Sequence, residues 1–212
     1  MAMKITYLAH ASFLIETRTG VKILTDPYDN SVGYTVFELS PDIVLTSHKH
    51  FDHGYTGALK GDFTLVDKPE EYNVKGVKIR GIKTFHDQEA GQKRGENIVF
   101  VIEDEFSVAH LGDLGHELEK EHLEKIGKVD ILLIPVGGVY TIDAKAAYNV
   151  AKAINPKIII PMHYKTEKLK FDLSRLEEFT KLFDNVEYAN SFELEIKELP
   201  ETQKVIVLSH KG

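Results

Sequence analysis

The chain has 212 residues, with 26 Lys and Arg against 33 Asp and Glu, a net charge of −7 and no cysteine. At 42% hydrophobic and 28% charged residues it has the composition of a folded globular protein. Without thiols there is no disulfide scaffold, no iron–sulfur cluster and no cysteine zinc finger, so any metal must sit on histidine and carboxylate. No apolar run nears the ~20 residues that cross a bilayer, and Lys4 to Glu16 lacks the apolar core of a secretion signal. The expectation is one cytoplasmic domain over residues 1–212 with no membrane partner. Net acidity without a basic stripe argues against extended nucleic-acid binding. Self-association into a homo-oligomer is compatible with the sequence.

In chain order, Lys4 to Leu8, Ser12 to Thr17 and Val21 to Thr25 read as strands, with Gly20 at a turn that needs its backbone freedom. Asp42-Ile43-Val44-Leu45-Thr46 has an apolar run at its centre, the pattern of a central strand covered on both faces. Phe63 to Val66, Val77 to Phe85, Ile98 to Glu103 and Phe106 to His110 continue the β-rich first half. After Gly115 the period changes, and Leu118, His122, Leu123 and Ile126 mark one helix face. Asp130 to Ile134 is a second buried strand. Asp143 is placed to cap a helix from Ala144 to Ile154, which Asn155-Pro156 ends. Lys157 to Pro161 reads as a strand and Leu173 to Phe183 as a helix, with strands at Val186 to Tyr188, Glu193 to Lys197 and Lys204 to Leu208. Asp42-Ile43-Val44-Leu45 and Asp130-Ile131-Leu132-Leu133 are near copies, which hints at two similar α/β halves forming a layered sandwich.

Three of the 10 histidines fall in Thr46-Ser47-His48-Lys49-His50-Phe51-Asp52-His53-Gly54, directly after a buried strand. Loops at the carboxyl ends of strands are where α/β folds gather ligand groups. His48 and His50, two residues apart on extended backbone, point the same way, while Asp52 and His53 face the pocket from the following turn. Imidazole with carboxylate suits zinc, manganese, iron or nickel. Four such donors exceed what one catalytic metal usually takes from a single segment, so two divalent ions are expected, with zinc the first choice.

This motif resembles the signature of the metallo-β-lactamase superfamily of binuclear hydrolases. The resemblance implies a four-layer αββα sandwich. It also implies a third imidazole at His86 beside His48 and His50, a bridging carboxylate at Asp113, and a last donor at His163 beside Asp52 and His53. Finer segments resemble the small bacterial and archaeal hydrolases related to ascorbate-6-phosphate lactonase: His10-Ala11-Ser12-Phe13, Thr25-Asp26-Pro27, Arg94-Gly95-Glu96-Asn97, Pro135-Val136-Gly137-Gly138 and Tyr140-Thr141-Ile142-Asp143. Secreted β-lactamases fit less well, because the commonest use a cysteine ligand.

Two ions ~3.5–4 Å apart bind water between them and make it hydroxide near neutral pH. The expected activity is therefore hydrolysis of an ester, lactone or phosphodiester bond in a small molecule by a metal-bridging hydroxide, with Asp52, Asp113 and His10 as catalytic residues. Asp52 can also pass a proton to the leaving group, and His10 is expected at the edge of the site or, alternatively, in the core. Asp26 either accepts the free N–H of a ligand histidine or simply makes an Asp-Pro turn. Arg94, His110, Tyr140 and Tyr164, with Lys165, are candidates for contact with a polar or anionic substrate; the alternative for Arg94 is a pair with Glu96 or Asp87. His116 flanks Asp113, His122 reads as a surface residue, and Gly137-Gly138 permits close backbone approach. Competing functions are a nuclease of the same superfamily, a flavodiiron-type redox protein, which needs a flavin domain this length does not accommodate, and a non-catalytic metal-binding protein.

Overall fold

A computed structural model describes residues 2–212. Two mixed sheets face each other across a shared core. The first is built from β1 (Met3–Ala9), β2 (Ser12–Glu16), β3 (Lys22–Thr25), β4 (Ile43–Leu45) and β5 (Thr64–Val66). The second takes β6 (Glu71–Val74), β7 (Val77–Phe85), β8 (Glu96–Glu103), β9 (Ser107–His110), β10 (Ile131–Pro135) and β11 (Ile158–Met162), with β12 (Val186–Tyr188) and β14 (Lys204–Val207) at its far edge. Between these two late strands the chain crosses back, and β13 (Glu193–Ile196) pairs with β1, giving the order β13-β1-β2-β3-β4-β5 in the first sheet. The helices are α1 (Lys120–Ile126), α2 (Ala144–Ile154) and α3 (Glu177–Thr180).

Alternation explains the layering. Met3, Ile5, Tyr7, Phe13, Ile15, Ile23, Ile43 and Leu45 point into the space between the sheets. Their neighbours Leu8, Leu24 and Val44 point outward, where Phe37, Leu39, Leu59 and Phe63 cover them. That outer layer is coil with a single 3-10 turn (Asn30–Val32), whereas α1 and α2 cover β7 and β10 of the second sheet. The layering is that of the expected αββα sandwich of two halves, with few helices: α1 and α2 lie over the second sheet, and the layer over the first keeps only the 3-10 turn.

The near-identical segments occupy equivalent places. β3, β4 and β5 run parallel, as do β9, β10 and β11. Asp42 Oδ2 accepts from the Lys22 N–H at 2.8 Å at the start of β3, and Asp130 Oδ2 accepts from the Ser107 N–H at 2.9 Å at the start of β9. Each aspartate joins its own strand to the one before, so the repeated tetrapeptide marks a repeated hydrogen-bond pattern in the two halves.

α2 matches the expected bounds: Asp143 Oδ1 accepts from the Ala146 N–H at 2.9 Å, and Asn155 closes the helix in the left-handed region. One expected element needs correction and one strand is added. The helix expected from Leu173 to Phe183 is reduced to α3, because the Ser174 N–H is bonded to Gly137 O and the Lys165 N–H to Ser174 O, which holds that stretch extended. β6 was not anticipated: it is a largely exposed edge strand, joined to β7 by Lys75-Gly76 at positive φ, so it shows no apolar pattern.

Phe13 is fully buried between the sheets. Phe13→Ala is expected to lower unfolding free energy by about 3–5 kcal/mol in urea denaturation; a loss below about 1 kcal/mol would mean that this space is not tightly packed.

Candidate metal centre

Six strand ends deliver the site. His10 follows β1, Asp26 follows β3, the His48–His53 loop follows β4, His86 follows β7, Asp113 lies beyond β9 and His163 follows β11. Each sheet supplies three of these approaches. Two groups of donor atoms, each within 4.8 Å, are His48, His50 and His86, and His10, Asp52, His53 and His163; a third set, Asp26, His48 and His53, overlaps both.

Asp113 lies between the first two. Its Oδ2 is 3.3 Å from His48 Nε2, 3.1 Å from His86 Nε2 and 3.0 Å from His53 Nε2, and its Oδ1 is 3.2 Å from His163 Nε2. These contacts are not aligned as hydrogen bonds: Asp113 Oδ1, His48 Nε2 and His53 Nε2 are buried without a partner. Orphaned polar atoms of this kind are costly unless something else binds them. Separations of 3.0–3.3 Å match the spacing of neighbouring donors around a cation with bonds of ~2.0–2.2 Å. The nitrogen and oxygen donor set therefore fits divalent metal.

Local structure holds these donors in place. Asp26 Oδ2 accepts from His53 Nδ1 at 2.7 Å and from Ser47 Oγ at 2.6 Å, while its Oδ1 takes the Ser47 N–H at 2.7 Å. The carboxylate fixes the His53 ring with Nε2 toward Asp113. Asn97, fully buried, accepts the Asp113 N–H on Oδ1 at 2.9 Å and donates to Leu111 O and Thr84 Oγ1. His10 is buried, its Nε2 3.0 Å from Asp52 Oδ2; its carbonyl accepts from Tyr7 Oη and from the His163 N–H, linking the first sheet to the second. His10, Asp26 and His163 all have positive φ, of 58°, 39° and 55°, a strained conformation for such residues. Gly137 is needed for close approach, since a Cβ there would lie 2.2 Å from His163 O.

Charge follows burial and neighbours. Burial would raise the Asp113 carboxyl, but His163, His53 and His48 hold it well below its usual value. Burial would lower His53, but Asp113, Asp52 and Asp26 outweigh it and hold the ring well above 6.5. His163 is pushed down to about 3, chiefly by burial, and is neutral at physiological pH.

His50, Asp52, His86, Asp113 and His163 open into a cleft of about 380 Å³ whose other walls are Phe51, Arg94, Tyr140 and Phe171. The Arg94 guanidinium lies 5.3 Å over the Tyr140 ring. Its suggested partners are engaged elsewhere: Glu96 pairs with Lys83 at 2.7 Å, and Asp87 accepts the backbone N–H groups of Glu89, Gly91, Lys93 and Arg94. Burial would raise Asp87, but those four N–H groups hold it at about 2.

Other candidates lie outside the cleft. His110 donates from Nε2 to Ala11 O at 2.8 Å and accepts the Gly112 N–H on Nδ1, so both ring nitrogens are committed to backbone in the core. His116 is likewise bound to backbone beside Phe85, and His122 serves the first turn of α1. Tyr164 is buried in the tyrosine cluster behind His10, and Lys165 donates to Leu169 O and Phe171 O, bracing the loop that presents Phe171. His110 and Tyr164 thus sit in the core, away from the residues that line the cleft. Phe51 and Phe171 carried no signal as isolated aromatics in loops. Ser47 and Asp87, each next to a donor histidine and before glycine-containing turns, could have been read as loop-organising residues.

Comparison with known proteins now places this arrangement. A model of the beta-lactamase superfamily domain matches residues 4–163. The chain belongs to the beta-lactamase superfamily. A metallo-beta-lactamase superfamily structure from Thermotoga maritima is similar at 45% identity and a TM-score of 0.85, over 99% of this chain and 100% of that one. Metal-dependent hydrolases from Carboxydothermus hydrogenoformans and Thermoplasma acidophilum are 34% and 31% identical, over 77% and 82% of this chain and 85% and 87% of theirs.

Removing the His53 support, as in Asp26→Ala, is expected to weaken metal affinity about 10–100-fold in chelator competition; unchanged affinity would leave Asp26 a turn residue only. Because His53 holds its proton near neutral pH, metal uptake must release it, and affinity rises with pH. Titration calorimetry in buffers of different ionisation enthalpy should give different heats, and identical heats would contradict this.

Proposed function

We propose that the chain is a binuclear metal-dependent hydrolase of small molecules, cleaving an ester, lactone or phosphodiester bond. The observation that carries this reading is the sharing of Asp113 between two groups of donors at the floor of an open cleft. His48, His50 and His86 would hold one cation, and Asp52, His53 and His163 the other, with Asp113 common to both. Bound there, the cations would supply an acidified water and polarise the carbonyl or phosphoryl oxygen. Zinc is the favoured identity, since imidazole with carboxylate suits it, and manganese, iron or nickel could use the same donors.

The protein's own groups do the rest. Asp52, held by His10, lines the cleft; an oxygen not taken by a cation would accept the proton of the attacking water and pass it to the leaving oxygen, so that one water adds across the broken bond. His10 orients Asp52 from behind and is excluded from the cleft wall, which makes it a positioning residue. Water enters as the nucleophile, and no serine or cysteine attack is required.

The cleft also bears on the competing readings. Its walls carry three aromatic side chains and one arginine, dimensions and chemistry suited to a small molecule. A nuclease would need a basic path along a phosphate backbone, and the net charge of −7 supports the small-molecule reading.

The test is turnover by zinc- or manganese-loaded protein on a panel of lactones, aryl esters and phosphodiesters. Asp113→Ala is expected to lose ~10²–10⁴-fold in rate, corresponding to the several kcal/mol that metal assistance supplies. Wild-type rates retained by Asp113→Ala would defeat the proposal.

A further inference from the structure

The cleft does not end at Arg94. A second cavity of about 200 Å³ adjoins it, lined by Gln88, Lys93 and Thr141, and sharing His86, Arg94 and Tyr140 with the first. The two spaces differ in chemistry. On the metal side the walls are Phe51, Tyr140 and Phe171; on the far side they are polar. Arg94 and Tyr140 stand where one passes into the other.

Arg94 itself is unspent. Among the described residues its guanidinium has no carboxylate within ion-pair distance and donates no hydrogen bond; it rests on the Tyr140 ring. The acids of its own loop are occupied: Glu89 pairs with Lys93 at 2.6 Å, Glu96 with Lys83, and Asp87 with backbone N–H groups. The Asp87 clasp ties the Arg94 N–H at 2.7 Å and so fixes where the side chain begins. A half-buried guanidinium with a fixed root, an aromatic platform and five free donors is built to grip a planar or tetrahedral anion through two oxygens.

We propose that the site takes an amphipathic anion: its apolar body lies against Phe51, Tyr140 and Phe171, its carboxylate or phosphate on Arg94, and any further polar extension in the second cavity. This rests on the cleft being the hydrolytic site, and it names the class of molecule hydrolysed there. Phe171 and Arg94 would then divide recognition, the first by contact area and the second by charge.

The experiment measures binding, which does not need turnover. Zinc-loaded wild type is titrated with 4-phenylbutyrate and with 4-phenylbutan-1-ol, matched in body and differing in the anion, by calorimetry or ligand-observed NMR. Wild type is expected to bind the carboxylate at least about 10-fold more tightly, and Arg94→Met to weaken that probe about 10–100-fold with little change for the alcohol. Arg94→Lys should fall between them, since it keeps the charge without the fork. Phe171→Ala should weaken both probes alike. Circular dichroism and metal content establish that each variant is folded and loaded.

Equal affinity for the two probes in wild type, no binding of either at millimolar concentration, or a preference that survives Arg94→Met would overturn the proposal; the last would assign the preference to the cations. An Arg94-dependent preference in a protein that turns over none of the ester, lactone or phosphodiester panel would keep the amphipathic-anion site and reject the claim that such anions are hydrolysed there. Turnover without that preference would do the reverse.

Discussion

The structure turns on one buried carboxylate. Asp113 is almost fully enclosed, yet it faces four imidazole nitrogens drawn from both halves of the molecule and meets none of them in hydrogen-bond alignment. A carboxylate removed from water needs positive charge close by, and unaligned imidazole contacts meet that need incompletely. The surrounding architecture can be understood as the framework that keeps these mutually awkward groups together. The backbone strain at His10, Asp26 and His163 belongs to the same account, at about 1–3 kcal/mol for each such residue. All three sit where a strand must end abruptly to aim a side chain or a carbonyl inward.

Support extends one layer outward from several of the donors. Ser47 and Asp26 hold His53, Asn97 holds Asp113, and the His10 carbonyl joins the Tyr7 hydroxyl to the backbone of His163. Gly112 and Gly137 are required in this layer because the chain passes too close to Ser47, Asn97 and His163 for any side chain. Rigid strands and short polar links, not long flexible loops, set the positions of the reactive groups, which is the arrangement that preserves geometry most precisely.

Much of this was legible in the residues. The apolar runs at Ile43–Leu45 and Ile131–Pro135 announced central strands, and the histidines after Thr46 announced the donor loop, because both signals are local. Asp42 and Asp130 even disclosed the correspondence between the halves. What stayed hidden depends on distant contacts. No local pattern says that His110 and Tyr164 turn into the core while Phe51 and Phe171 line the cleft. The stretch before α3 is rich in helix formers, yet bonds to Gly137 and Lys165 override that propensity. β6 was silent for the opposite reason: an edge strand in water needs no apolar face.

The return of β13 to the flank of β1 has a bearing on how the molecule is made. The first sheet acquires its outer strand only when residues 193–196 are available, long after β1 has left the ribosome. Until then β1 lacks its outer partner, although His86, Asp113 and His163 all precede β13 in the chain. The edge of the first sheet that carries His10 is therefore closed by one of the last segments of the chain to be made.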